Sequence, residues 1–198
     1  MSNKKIINLV DIIYKYLASI DDSKLFTFLA NWPSSSFKFR STSNHLLPVM
    51  SYLSEIESNE NDGSLAVINC LKECAESLYW GQTYTTEDFD ETFLSNYGWT
   101  EIIGLRGPVA SNDIACGFLM LGPDTEYPKH SHEAEEIYIP FNSQTLWIKG
   151  NENWMPEQVG VPIYHPSRIT HGMRTGPSPL LALYLWQGGN LVQKSVLE

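Results

Sequence analysis

The sequence predicts a mainly β domain, a sandwich or barrel, behind an α-helical N-terminal part. Two observations carry this. Up to about residue 92, apolar residues recur at the three-four spacing of amphipathic helices. From Phe93 onward glycine, proline and aromatic residues become frequent, and short alternating runs bounded by turn residues replace the helical stripes. The 198 residues suffice for one domain with a sizeable core, or for one domain with a small helical extension. The expected division is residues 1–92 as a helical extension packed on a barrel and residues 93–198 as the barrel.

Ile6, Leu9, Val10, Ile13, Tyr14 and Leu17 trace the apolar stripe of a first helix. Asp21-Asp22-Ser23 can cap a second over 24–30, which Asn31-Trp32-Pro33 stops. Ser34-Ser35-Ser36 reads as a loop. A helical segment over 44–56 carries Leu46, Leu47, Met50 and Leu53 and tolerates Pro48 only near its first turn. Asn59 to Gly63 is a turn. The longest helix then runs over 65–80, with Leu65, Ile68, Leu71, Cys74, Ala75 and Leu78 on one stripe and Gly81 as its stop. Expected strands are 99–105, 115–121, Glu135–Pro140, Thr145–Lys149, 160–164, His171–Thr175 and 180–186. Turns at Gly122-Pro123-Asp124, Gly150-Asn151-Glu152 and Gly176-Pro177 separate several of them.

A net charge of −10 argues against nucleic acid and an anionic membrane surface as partners. No apolar run approaches the length of a membrane span. The N-terminus begins like a signal peptide, but Asp11 and Lys15 break its apolar region, so secretion is not expected. Cys70, Cys74 and Cys116 are an odd count without a Cys-x-x-Cys pair, and the first two share a helix face. Buried thiols in a reducing cytoplasm fit this usage.

The chemistry concentrates in the segment from Tyr127 to Tyr138. His130, His132, Glu136 and Tyr138 have the same parity, so one continuous strand would present all four on one side. Two imidazoles and a carboxylate on one face suit a first-row divalent metal, and His171 is the candidate fourth ligand. One such ion is expected, and Zn, Fe, Mn, Ni and Co all accept three histidines and a carboxylate. His165, six residues before His171, fits a structural role or one beside the ligands.

His130-x-His132-x3-Glu136 resembles the first cupin motif, and Gly160-x5-Pro166-x4-His171 resembles the second. Ser143, Arg168 and Thr175 depart from the general cupin pattern, while the metal positions all match. With Tyr127, Tyr138 and the run Leu180 to Trp186, these departures resemble a narrower group, the cupin-type dimethylsulfoniopropionate (DMSP) lyases. The resemblance is specific over residues 98–189 and loose before them. It implies a cupin-like β-barrel, or double-stranded β-helix, with the site in its mouth. It also implies a small zwitterionic substrate and β-elimination to dimethyl sulfide and acrylate.

Tyr138 would act as base, since a nearby divalent ion favours the phenolate; read alone, it is better explained as a core tyrosine bonding a backbone carbonyl. Tyr127 matches the family's other site tyrosine, as a second base or substrate clamp. Trp147, Trp154, Tyr184 and Trp186 are mostly core by composition. Two or three at the mouth would attract a sulfonium through cation–π contact, ~0.5–2 kcal/mol each. Arg168 and Arg174 serve either a substrate carboxylate or the surface. The helical half is expected to cover the barrel or form a homodimer surface. Other readings are a related cupin acting on another small carboxylate, as isomerase or dioxygenase, and a metal-containing binding protein.

Overall fold

The computed structural model describes residues 3–33, 37–57, 63–142 and 144–198. The loop expected at 34–36, most of the turn at 59–63, and Ser143 lie outside them. Helices come first: α1 (Asn3–Ala18), α2 (Ser23–Leu29), a 3-10 helix at Pro48–Glu55, and α3 (Ser64–Cys74), which tightens into a 3-10 turn at Ala75–Ser77. A short α4 (Glu91–Ser95) follows β1 (Trp80–Gly81). The remaining strands are β2 (Tyr97–Gly104), β3 (Val109–Ala110), β4 (Ile114–Leu121), β5 (Glu126–Ser131), β6 (Glu135–Pro140), β7 (Thr145–Lys149), β8 (Met155–Pro156), β9 (Ile163–His165), β10 (His171–Thr175), β11 (Leu180–Gln187) and β12 (Val196–Leu197).

Two sheets form. One runs β1-β2-β4-β11-β6-β9 with β3 beside β2; the other runs β12-β5-β10-β7-β8. Strand alternation sorts the first sheet's side chains between two cores. Cys116, Phe118, Met120, Ile137, Ile139, Leu181, Leu183 and Leu185 join the α1 and α3 residues Leu9, Ile13, Leu17, Val67, Ile68 and Leu71. Their neighbours of opposite parity, Ala115, Leu119, Tyr138, Ala182 and Tyr184, join Tyr127, Trp147 and Met173 of the second sheet. With both faces covered, β4 is buried throughout, which is why its sequence is almost continuously apolar. The helices thus cap one face and the second sheet closes over the other, as the barrel expectation required.

Differences from expectation have local causes. Tyr14 is 44% exposed, and Tyr16 takes the buried place. Over 44–56 only a 3-10 helix forms, entered at Pro48 as its first residue. The helix expected over 65–80 ends at Cys74, because Trp80 and Gly81 pair with Thr100 and Trp99 of β2. Trp80 also donates through Nε1 to Ala75 O at 3.1 Å, so tertiary pairing overrides helix propensity. The strand expected over 160–164 begins three residues later, and β5, absent from the expected strands, forms only the first part of the continuous strand considered for the His-x-His segment.

Candidate metal centre and aromatic cleft

The His-x-His segment is not one strand. β5 carries Tyr127 and His130 and ends at Ser131; the chain turns through His132, and Glu135 opens β6 in the other sheet. The ligand-type residues therefore converge from facing sheets rather than sharing one face. His130 pairs across strands with His171, the first residue of β10. Their rings lie 4.3 Å apart by centroid.

Three backbone carbonyls orient three imidazoles. Nδ1 of His130 faces Pro128 O at 2.8 Å, that of His132 faces Ala134 O at 3.0 Å, and that of His171 faces Ile169 O at 2.9 Å. A carbonyl only accepts, so each Nδ1 carries the proton and each Nε2 is left as a lone pair. The ligand atoms of the three rings lie within 4.8 Å of one another, all three residues buried. Glu136, fully buried, sets Oε2 2.9 Å from Nε2 of His132 and 3.0 Å from Nε2 of His171. Its Oε1 accepts from Trp186 Nε1 at 2.5 Å. Two lone pairs and a carboxylate oxygen at such distances repel unless a positive charge lies among them. A divalent ion meets that need with a donor set it commonly takes.

The electrostatics agree. Burial works to raise the Glu136 pKa, but positive charge and N–H donors placed at His132 and His171 hold the carboxyl well below its usual range, so the site favours a cation beside the carboxylate, the part an ion takes when both rings are neutral. Burial, then His171, holds His130 well below the usual imidazole range. Glu136, His165 and His171 also gather their ligand atoms within 4.8 Å. His165, however, stacks on His171 at 4.2 Å with the planes 14° apart. Parallel rings in a stack cannot both hold one ion in their planes, so His165 is a neighbour of the centre and not a ligand alongside His171. Among the described residues, neither of its ring nitrogens has a hydrogen-bond partner.

A cleft with about 510 Å³ of empty space, counting its open mouth, leads to this centre. Tyr127, His130, Glu136, Tyr138, Tyr184 and Trp186 line it. Tyr127 stacks on His130 at 4.1 Å, and its hydroxyl lies 3.2 Å from that of Tyr84. Burial first, then the Glu136 charge, raises the Tyr138 pKa well above that of a free phenol. Trp147 packs 5.4 Å from the Tyr138 ring as core. Trp154 lies outside the cleft wall, with the Arg174 guanidinium 4.7 Å over it. Arg168 and Arg174 are exposed and pair with Glu133 and Glu126, so they serve the surface. Glu135 likewise turns away from the centre and accepts from Tyr164 Oη at 2.6 Å.

The wall also includes residues that sequence reasoning passed over: Tyr97, Trp99, Glu101 and Arg106. Trp99 and Glu101 share parity in an expected strand, and a lone acid in an apolar run was the available signal. A strap over 188–195 completes the mouth with Leu191, Gln193 and Ser195. It leaves β11 through Gly188 and Gly189, both at positive φ. Bonds from Arg106 Nη2 to Val192 O, from Glu133 N to Gln193 and from Lys194 to Asp88 fasten it.

Residues 30–182 match the family model described as dimethylsulfoniopropionate lyase. The chain belongs to the DMSP lyase family. The match begins within the helical part, well before the motifs that first suggested it. Over 111 residues the chain is 32% identical to dimethylsulfoniopropionate lyase DddQ of Ruegeria pomeroyi, a match covering 55% of this chain and 54% of that protein. The matched segment thus spans about half the length of that curated relative. The crystal structure of DMSP lyase DddQ from Ruegeria pomeroyi DSS-3 superposes with a TM-score of 0.87 at 23% identity, covering 99% of this chain and 97% of that one. A structure described under DMSP lyases RdDddP and RnDddQII gives 0.87 at 24% identity, over 99% and 98%. These two likenesses show the fold, N-terminal helices followed by two facing and mainly antiparallel sheets.

Proposed function

We propose that this member of the family is a metal-dependent carbon–sulfur lyase that cleaves DMSP into dimethyl sulfide and acrylate. The observation that carries the reading is the buried set of His130, His132, His171 and Glu136 at the closed end of an aromatic cleft. These four would hold one divalent ion. Such an ion supplies Lewis acidity toward a substrate carboxylate and a positive potential that favours the Tyr138 phenolate.

Tyr138 Oη would take the proton from the carbon next to the carboxylate. The pair from that C–H bond becomes the C=C bond of acrylate, and the C–S pair leaves on sulfur. Dimethyl sulfide departs neutral, so no general acid is needed. Tyr127, held by His130 and Tyr84, would clamp the substrate. Tyr184 and Trp186 would wall the cationic end.

The test is incubation of protein loaded separately with Zn, Fe, Mn, Ni and Co with DMSP, followed by headspace detection of dimethyl sulfide. Release that is abolished by chelator and restored by one or more of these metals is expected. No release with any of them would refute the reading.

A further inference from the structure

Across the seven-stranded sheet, four cleft-facing positions are register partners in turn: Glu101 with Gly117, Gly117 with Tyr184, and Tyr184 with Tyr138. The row runs from the proposed base at one end to a carboxylate at the other, three strand spacings or about 14 Å away at the backbone. Gly117 keeps the middle open. A Cβ there would lie 2.8 Å from Tyr184 Oη and 2.0 Å from Thr100 O.

Glu101 is 5% exposed and lines the cleft. Its Oε1 accepts from Arg106 N at 2.5 Å and Gly107 N at 2.8 Å. Among the described residues it forms no ion pair. The two nearby guanidiniums are engaged elsewhere: Arg106 donates to Val192 O, and Arg40 to Gly104 O and Gly107 O. A buried carboxylate held by two backbone N–H groups, on which Arg106 and Arg40 act only through their nearby charge and not as ion-pair partners, is uncommon in a folded protein. Beside it, Trp99 already receives a cation on its ring, with the Arg106 guanidinium 5.1 Å away.

We infer that Glu101 is the specificity-determining counter-charge for the cationic end of the substrate. The cleft then selects short carboxylates bearing a sulfonium or quaternary ammonium at the far end over carboxylates of the same shape whose far end is uncharged. This rests on the proposed reading only in taking the substrate carboxylate to lie at the His–Glu end. The alternative role, holding the 104–107 turn, needs only an acceptor oxygen, and glutamine supplies one.

The experiment is calorimetric titration of the zinc-loaded protein with two unreactive isosteres, 3-(trimethylammonio)propionate and 4,4-dimethylpentanoate. Wild type should bind the zwitterionic ammonium probe at least about tenfold more tightly. Glu101→Gln should lose most of that preference while its affinity for 4,4-dimethylpentanoate, uncharged at its far end, stays within about twofold. Equal weakening for both probes would reduce Glu101 to a structural role. A wild type with no preference for the cation, or binding neither probe, overturns the inference even if the variant fails to fold. Loss of the preference in Glu101→Gln together with no dimethyl sulfide from wild type would uphold the counter-charge and refute the lyase reading.

Discussion

Tyr138 is where binding and catalysis part. Burial and the Glu136 charge keep its phenol protonated in the metal-free arrangement, so its use as a base depends on a cation opposing both. Tyr138→Phe keeps the ring packing on Trp147 and removes only the hydroxyl. Turnover of DMSP should fall by ~10²–10⁴-fold, with metal content by elemental analysis close to wild type. Unchanged turnover would remove Tyr138 from the mechanism; lost turnover with lost metal would make it a ligand. The ligand-type residues were legible because histidine pairs at short spacing have few competing explanations, although the continuous strand that first grouped them does not exist. Glu101 was not legible, since one acid in an apolar strand reads equally as an edge or a bulge until register sets it opposite Gly117.

Among the elements, β10 depends on Thr175 at its end. The Thr175 hydroxyl accepts from Thr125 N at 2.8 Å and donates to Gly122 O at 2.7 Å, tying the turn after β4 to the second sheet. Thr175→Val keeps the shape and strands both backbone groups, at a cost of about 1–3 kcal/mol each. Urea denaturation should show a lower midpoint with an unchanged slope; an unchanged midpoint would mean that water replaces the hydroxyl. Strands β6, β7 and β10 could be read residue for residue because apolar periodicity and turn residues agree there. β5 could not: Glu126-Tyr-Pro-Lys-His-Ser131 has a proline and charged residues in place of an apolar run, and its pairing with β10 and β12 makes it a strand. The end of α3 was hidden for the same kind of reason, since the pairing of Trp80 with Thr100 is invisible in a helical stripe.

At the scale of the whole molecule, buried neutral histidines make the metal-free protein acid-sensitive. Burial, then His171, holds both His130 and His165 well below the usual imidazole pKa. As pH falls below about 6.5, the unfolded chain takes up protons that the folded one refuses. Stability then drops by about 1.4 kcal/mol per pH unit for each histidine. The depressed Glu136 acts in the same direction, but only below its unfolded value near 4.3. Thermal melting in chelator should therefore move steadily downward from pH 7 to pH 5; a flat profile contradicts the burial of these rings. The fold class was legible because two periodicities divide the chain near residue 93. The sharing of one core between α1, α3 and the outer face of the seven-stranded sheet was not, since periodicity names a buried face without naming its partner. The strap over 188–195 differs in kind from the barrel it closes. Its fastenings to Arg106 and Asp88 lie at the surface, where such bonds contribute about 1 kcal/mol or less. Gln193, half-buried and held by one bond from Glu133 N, can accordingly change at little cost to folding, whereas Leu191 and Ser195 are buried and anchor the strap. Gln193 is thus the position of the strap where variants for altered selectivity should be sought first.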